Sequence, residues 1–240
     1  MKKGNTYAIA LGGLLVTTSA QAALTLTGVT TAPSNAQISQ ADSNTNIGTS
    51  SGTGSAVGQT FTTGGAFGMT GLTLIKGANQ SYTATGNASV RLQIFEWNPA
   101  GDANVTTNWT DAPQGGSSIS GMTSLYNETM DFQGLSFTGG TDHLNFDLGT
   151  TLSLSATTAY GFLVTMEGVT GGADNINFRQ ATSPSNPYAD GLRLNNDSTT
   201  NSFGSNQDLA FYVVPEPSST VFLGLGGLAL VLRRRRGCAI

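Results

Sequence analysis

Between residues 23 and 214, apolar and polar side chains alternate over short runs, and no run sustains the 3.6-residue spacing of an amphipathic helix. The runs fall at 24–26, 59–63, 71–76, 90–97, 124–128, 134–138, 144–148, 151–155, 160–167, 176–180, 191–194 and 208–214. Gly, Asn, Asp, Ser and Pro separate them, as turn chemistry requires. The run 90–97 is the clearest strand. It sends Val90, Leu92 and Ile94 to one face and Arg91, Gln93 and Phe95 to the other. Roughly ten strands at this spacing predict an all-β fold, a two-sheet antiparallel sandwich with jelly-roll-like connections. The sandwich is placed at residues 59–214. Residues 23–58 form a polar, partly mobile N-terminal segment, because 32–58 are rich in Ser, Thr, Gly and Asn with little to bury. A second long loop is expected at 98–121. No fixed period marks a solenoid.

The two ends differ in kind from this middle. Lys2 and Lys3 precede an apolar stretch at 7–16, and Ala20-Gln21-Ala22 supplies a small-x-small cleavage site. Residues 1–22 therefore read as a secretory signal peptide, cut after Ala22. The other end, 215–240, has three parts in order: Pro215-Glu216-Pro217, an uncharged apolar run at 221–232, and the cluster Arg233, Arg234, Arg235, Arg236. The prolines stop a preceding strand. The apolar run enters lipid as a short C-terminal helix, and the arginines halt transfer on the cytoplasmic side. Twelve residues of helix reach about 18 Å, short of the roughly 30 Å hydrocarbon core. A thin, temporary span follows, with a permanent single-pass anchor as the alternative.

Charge sharpens that division. The whole chain carries a net charge of −4, but residues 23–214 hold only four basic side chains against thirteen acidic ones. Such a surface gives no footprint for nucleic acid. One His and one Cys in the chain exclude a His/Cys zinc site and any intrachain disulfide. A middle of 192 residues buries enough surface to fold without such staples.

The tail resembles the PEP-CTERM sorting signal of Gram-negative-type bacteria. The residues that carry the likeness are Pro215, Glu216 and Pro217, the 221–232 run and Arg233 to Arg236. The resemblance implies that the chain is the substrate of an exosortase, a membrane-embedded Cys protease or transpeptidase. It also implies passage through the inner membrane and delivery to the cell surface or the exopolysaccharide matrix. The short segments at 59–63, 92–95 and 152–164 resemble β-sandwich domains found upstream of such anchors, which bears on the fold alone.

Candidate chemistry within the middle is sparse. His143 stands near a strand start, where a lone surface His is the plainer reading than the base of a catalytic triad. Asp142 with Asp147, or Glu96 with Asp102, would serve glycoside hydrolysis only across a cleft of about 5–9.5 Å. Solvated loop carboxylates explain the same residues. Asp190, Asn195, Asn196, Asp197 and Asp208 offer hard oxygens for a structural calcium, without EF-hand spacing; no other cofactor is implied. Trp97, Trp109, Tyr126 and Tyr188 present faces on which a sugar ring stacks, and Trp109, in a polar loop, is the candidate glycan contact. The expectation is a non-enzymatic surface or matrix protein with a structural or adhesive role. A glycan-binding module and an extracellular polysaccharide hydrolase are the alternatives.

Overall fold

The computed structural model describes residues 23–43, 45–48, 56–77, 82–83, 89–97, 122–131, 135–137, 143–167, 176–182, 188, 191–196, 201–204 and 207–217. The expected signal peptide at 1–22, the expected loop at 98–121 that holds Trp109, and the tail from 218 onward with its expected helix lie outside them. Among the described residues all regular structure is strand. In chain order the strands are β1 (Thr25–Val29), β2 (Ile38–Gln40), β3 (Thr45–Gly48), β4 (Ala56–Thr62) and β5 (Phe67–Ile75). Then follow β6 (Tyr82–Thr83), β7 (Ser89–Glu96), β8 (Thr123–Asp131), β9 (Ser136–Phe137), β10 (His143–Leu154) and β11 (Ala159–Glu167). The last are β12 (Asn177–Thr182), β13 (Arg193–Asn196), β14 (Asn201–Gly204), β15 (Gln207–Leu209) and β16 (Phe211–Pro215).

Two sheets carry the fold. One runs β1-β10-β5-β16-β2 and the other β14-β13-β4-β11-β7-β8, with antiparallel neighbours throughout. Take β2, β4, β5, β7, β8, β10, β11 and β16 as eight successive strands. The first sheet then reads first-eighth-third-sixth and the second reads second-seventh-fourth-fifth. That is the double Greek key of a jelly roll. The expected sandwich is therefore present, jelly-roll connections included. A smaller sheet, β15-β12-β3, and the pair β6-β9 complete the described strands.

Alternation explains which side chains meet between the sheets. Leu72 and Leu74 of β5, Leu144 and Phe146 of β10, and Phe211 and Val213 of β16 face inward from the first sheet. Val57 and Phe61 of β4, Val90, Leu92 and Ile94 of β7, and Phe162 and Val164 of β11 meet them from the second. Phe211 lies at the seam. Its ring is 5.5 Å from that of Phe162, 6.2 Å from Phe61 and 5.5 Å from Tyr188. The Tyr126 hydroxyl donates to Leu148 O at 3.0 Å, tying β8 to β10 across the layers. The opposite face of β7 is apolar at Phe95, which joins Ala56, Leu163 and Leu194 in a second cluster with Trp97 against it.

The N-terminal segment departs from expectation. Besides β1, expected from the run at 24–26, it contributes β2 and β3 to the sheets, and Ile38 and Ile47 pack against the core. The separate runs at 144–148 and 151–155 are one strand, β10. It is bulged between Asp147 and Leu152 where Gly149 takes φ 64° and donates its N–H to Asp147 Oδ1 at 2.9 Å.

Candidate functional site

The last strand delivers the chain to the Pro-Glu-Pro motif without a linker. β16 is a central strand, paired with β5 on one side and β2 on the other. Its ladder runs into the motif itself, since Pro215 is registered with Met69. The Thr70 hydroxyl donates to Pro215 O at 3.2 Å, and Glu216 N donates to Gly68 O at 2.7 Å. Proline is tolerated there because it ends the strand, past a register shift at Val214. Val213 is fully buried, Pro215 half-buried, and Glu216 and Pro217 are exposed. The passage from core to exposed motif thus takes four residues. The strand was expected to stop at 214; it includes Pro215 and is prolonged by the Glu216 hydrogen bond.

Beside this junction the segment 29–35 folds over the outer face of the first sheet and encloses a cleft of about 420 Å³. Val29, Pro33 and Val214 supply apolar walls, and Thr31, Ser34, Asn35, Thr73 and Asn145 supply uncharged polar groups. Among the described residues no charged side chain lines it. Thr73 Oγ1 donates to Asn145 Oδ1 at 2.9 Å, which leaves the Asn145 amide nitrogen uncommitted among the described residues. Sequence reasoning missed this cleft, because its residues come from four strands and a loop far apart in the chain. His143 opens β10 half-buried, its ring 5.9 Å from that of Tyr212.

The remaining candidates separate. Asp208 is fully buried: Gln59 Nε2 donates to its Oδ1 at 2.8 Å and Tyr188 N to its Oδ2 at 3.2 Å. Gln59 Oε1 in turn accepts from Leu209 N at 3.0 Å. Burial raises the Asp208 pKa above its ordinary value, outweighing the two hydrogen bonds that lower it. Asn195 and Asn196 lie in β13, while Asp190 and Asp197 fall outside the described residues. Asp147 and Glu96 are exposed, and their suggested partners Asp142 and Asp102 lie outside the described residues. Tyr126 is buried in the core, its hydroxyl pKa pushed up by burial first and then by Glu128 and Asp147. Tyr188 packs edge-on to Phe211, and its hydroxyl accepts from Thr62 N at 3.2 Å. Trp97 lies 6.2 Å from Phe95. These aromatic rings serve packing. Among the described residues no group of His, Cys, Asp and Glu is placed to hold a metal, and no helix is long and apolar enough to cross a membrane.

An antiparallel jelly roll whose final core strand runs straight into a Pro-Glu-Pro tail defines a class: an exported β-sandwich with a C-terminal sorting address. The family model for the PEP-CTERM protein-sorting motif matches residues 213–236, so the chain carries that sorting motif of exported proteins. The match begins inside β16, at a core residue. No curated protein matches the chain. Among solved structures it is similar to one of the Gx strain of infectious bursal disease virus and to that virus's VP2 subviral particle, each at 12% identity and TM-score 0.17. These cover 90% and 88% of this chain but 49% of each viral chain, so it spans about half their length. At that score the likeness carries no argument.

Proposed function

We propose that the protein is a structural or adhesive component of the bacterial cell surface or exopolysaccharide matrix, with no enzymatic activity of its own, processed at its tail by an exosortase. The observation that carries this reading is the exposed Glu216-Pro217 at the end of a core strand, within the matched motif. The excess of acidic over basic side chains in residues 23–214 suits a hydrated polysaccharide layer. Mass spectrometry of envelope and secreted fractions tests it. The mature surface form should lack peptides reaching Arg233–236, and their presence would count against processing.

The cleft favours a second reading, a glycan-binding module. Hydroxyl and amide groups beside apolar walls match a neutral polyhydroxylated ligand. On a glycan array, Asn145→Ala should weaken binding about tenfold, the worth of one good hydrogen bond. Trp109→Ala tests the loop candidate in the same assay, and an EDTA arm tests a structural calcium. No binding to any glycan would retire this reading.

A further inference from the structure

Resting on the glycan-binding reading, we infer that the cleft beside β16 selects sugars that carry an acetamido group, over plain neutral sugars and over acidic ones. The segment that roofs the cleft is tied at both ends. Val29 closes the ladder between β1 and β10, and Gln37 N donates to Val213 O at 2.9 Å. Val29 and Pro33 are half-buried and line the cleft. The roof is therefore in place before a ligand arrives, and little ordering is left to oppose binding. The volume of about 420 Å³ falls within the range of about 300–1,000 Å³ usual for small-molecule sites.

The floor sets the hydrogen-bonding pattern. Thr73 and Asn145 are register partners on adjacent strands, on the face opposite Leu72, Leu74, Leu144 and Phe146. The Thr73 hydroxyl proton is given to Asn145 Oδ1 at 2.9 Å. Two groups then remain for a ligand: the Asn145 Nδ2 amide, which donates, and the Thr73 Oγ1 lone pairs, which accept. An acetamido group brings the complement of both in one planar unit, a carbonyl that accepts and an N–H that donates. The walls select further. Val29, Pro33 and Val214 are aliphatic, and among the described residues no aromatic ring lines the cleft. His143 and Tyr212 lie 5.9 Å from each other and stand outside the lining. A plain sugar ring finds no aromatic face to stack on, whereas aliphatic walls suit a methyl group, whose burial is worth about fourfold in affinity. With no Lys or Arg in the lining among the described residues, a carboxylate or sulfate would lose water and gain no partner.

Isothermal titration calorimetry of the purified full chain with N,N′,N″-triacetylchitotriose, cellotriose and a galacturonic acid trimer tests this. The first two are neutral and share one backbone, and differ only in bearing an acetamido group or a hydroxyl. The acetamido trimer should bind at least about tenfold more tightly than cellotriose, the worth of one good hydrogen bond. The acidic trimer should not bind. Asn145→Asp keeps the acceptor for Thr73 and removes the amide hydrogens, and Val29→Thr keeps the side-chain shape and exchanges a wall methyl for a hydroxyl. Each variant, with its fold confirmed by thermal melting, should bring the ratio of the two neutral trimers close to one. The ratio is the readout because a merely structural loss weakens both sugars alike. Cellotriose or the acidic trimer bound as tightly as the acetamido trimer overturns the inference and leaves glycan binding standing. So does a ratio unmoved in the folded variants, or an array on which other glycans bind and neither neutral trimer does. Binding to no glycan at all retires the glycan reading and this inference with it.

Discussion

Asp208, expected from the sequence as one of the hard oxygens for a calcium, commits both its oxygens to the core. Both its oxygens accept hydrogen bonds, and Gln59 is oriented by accepting from Leu209 N. An Asn at 208 must aim its amide at either Gln59 Nε2 or Tyr188 N, and turning Gln59 over only moves the donor–donor clash to Leu209 N. Asp208→Asn should therefore cost about 1–3 kcal/mol, the usual penalty for one unsatisfied buried group. Its pH dependence has a definite sign. The native pKa is raised above the ordinary 3.8, so the native state holds this proton to higher pH than the unfolded chain does. Its contribution to stability is full below 3.8 and is lost as pH rises through the raised native value. The Asn variant lacks that loss. Its destabilisation, measured by denaturant melts, should be largest near pH 3.5 and smaller at neutrality, as the wild type loses this contribution above roughly pH 4. A penalty that grows toward neutral pH would contradict the assignment.

At the scale of elements, the close approach of neighbouring strands in the second sheet shows at two glycines that a side chain would disturb unequally. A Cβ on Gly58 of β4 would lie 1.9 Å from Phe162 O, a backbone atom of the neighbouring β11 that cannot yield without breaking the ladder. A Cβ on Gly161 of β11 would lie 2.6 Å from the Phe95 ring, a side chain that can turn. Gly161→Ala should cost about 1–3 kcal/mol, the range for overpacking, and Gly58→Ala more than about 4. Gly64→Ala, with nothing within 4 Å, should stay within about ±0.5 kcal/mol. Thermal melts of the three rank them. Long alternation made such elements legible: in β7 Val90, Leu92 and Ile94 read directly as one face, and the packing shows that face to be the inward one. It did not reveal β2 and β3, because strands of three and four residues built around single isoleucines leave no period to see. Nor did it reveal that Pro215 belongs to the ladder, since proline reads as a stop and only the register with Met69 shows how late that stop comes. The motif was legible because its chemistry is local, whereas the cleft needs 29–35 laid over Thr73 and Asn145.

The whole molecule closes on its last strand. β16 sits between β5, in the first third of the chain, and β2 near its start, so the first sheet is incomplete until residues 211–215 arrive. Gln40 Nε2 donates to Leu209 O across a separation of 169 residues, a loop that must close before the contact is gained. Folds built on such distant pairings are slow, in the millisecond-to-second range for β sandwiches. Chains exported N-terminus first present β16 last, immediately ahead of the sorting motif, so closure of the sandwich and presentation of the motif fall together. Two truncations separate the consequences. Ending the chain after Pro217 removes none of the described core residues and should leave a single cooperative melt. Ending it after Ala210 removes Phe211 and Val213, buried side chains each worth about 1.5–3 kcal/mol, together with both ladders of a central strand. That loss approaches the whole stability of a domain, about 5–15 kcal/mol, so the shorter chain should show no cooperative transition and rapid proteolysis. A folded, protease-resistant product ending at Ala210 would mean that the fold is held elsewhere and that β16 is an accessory to it.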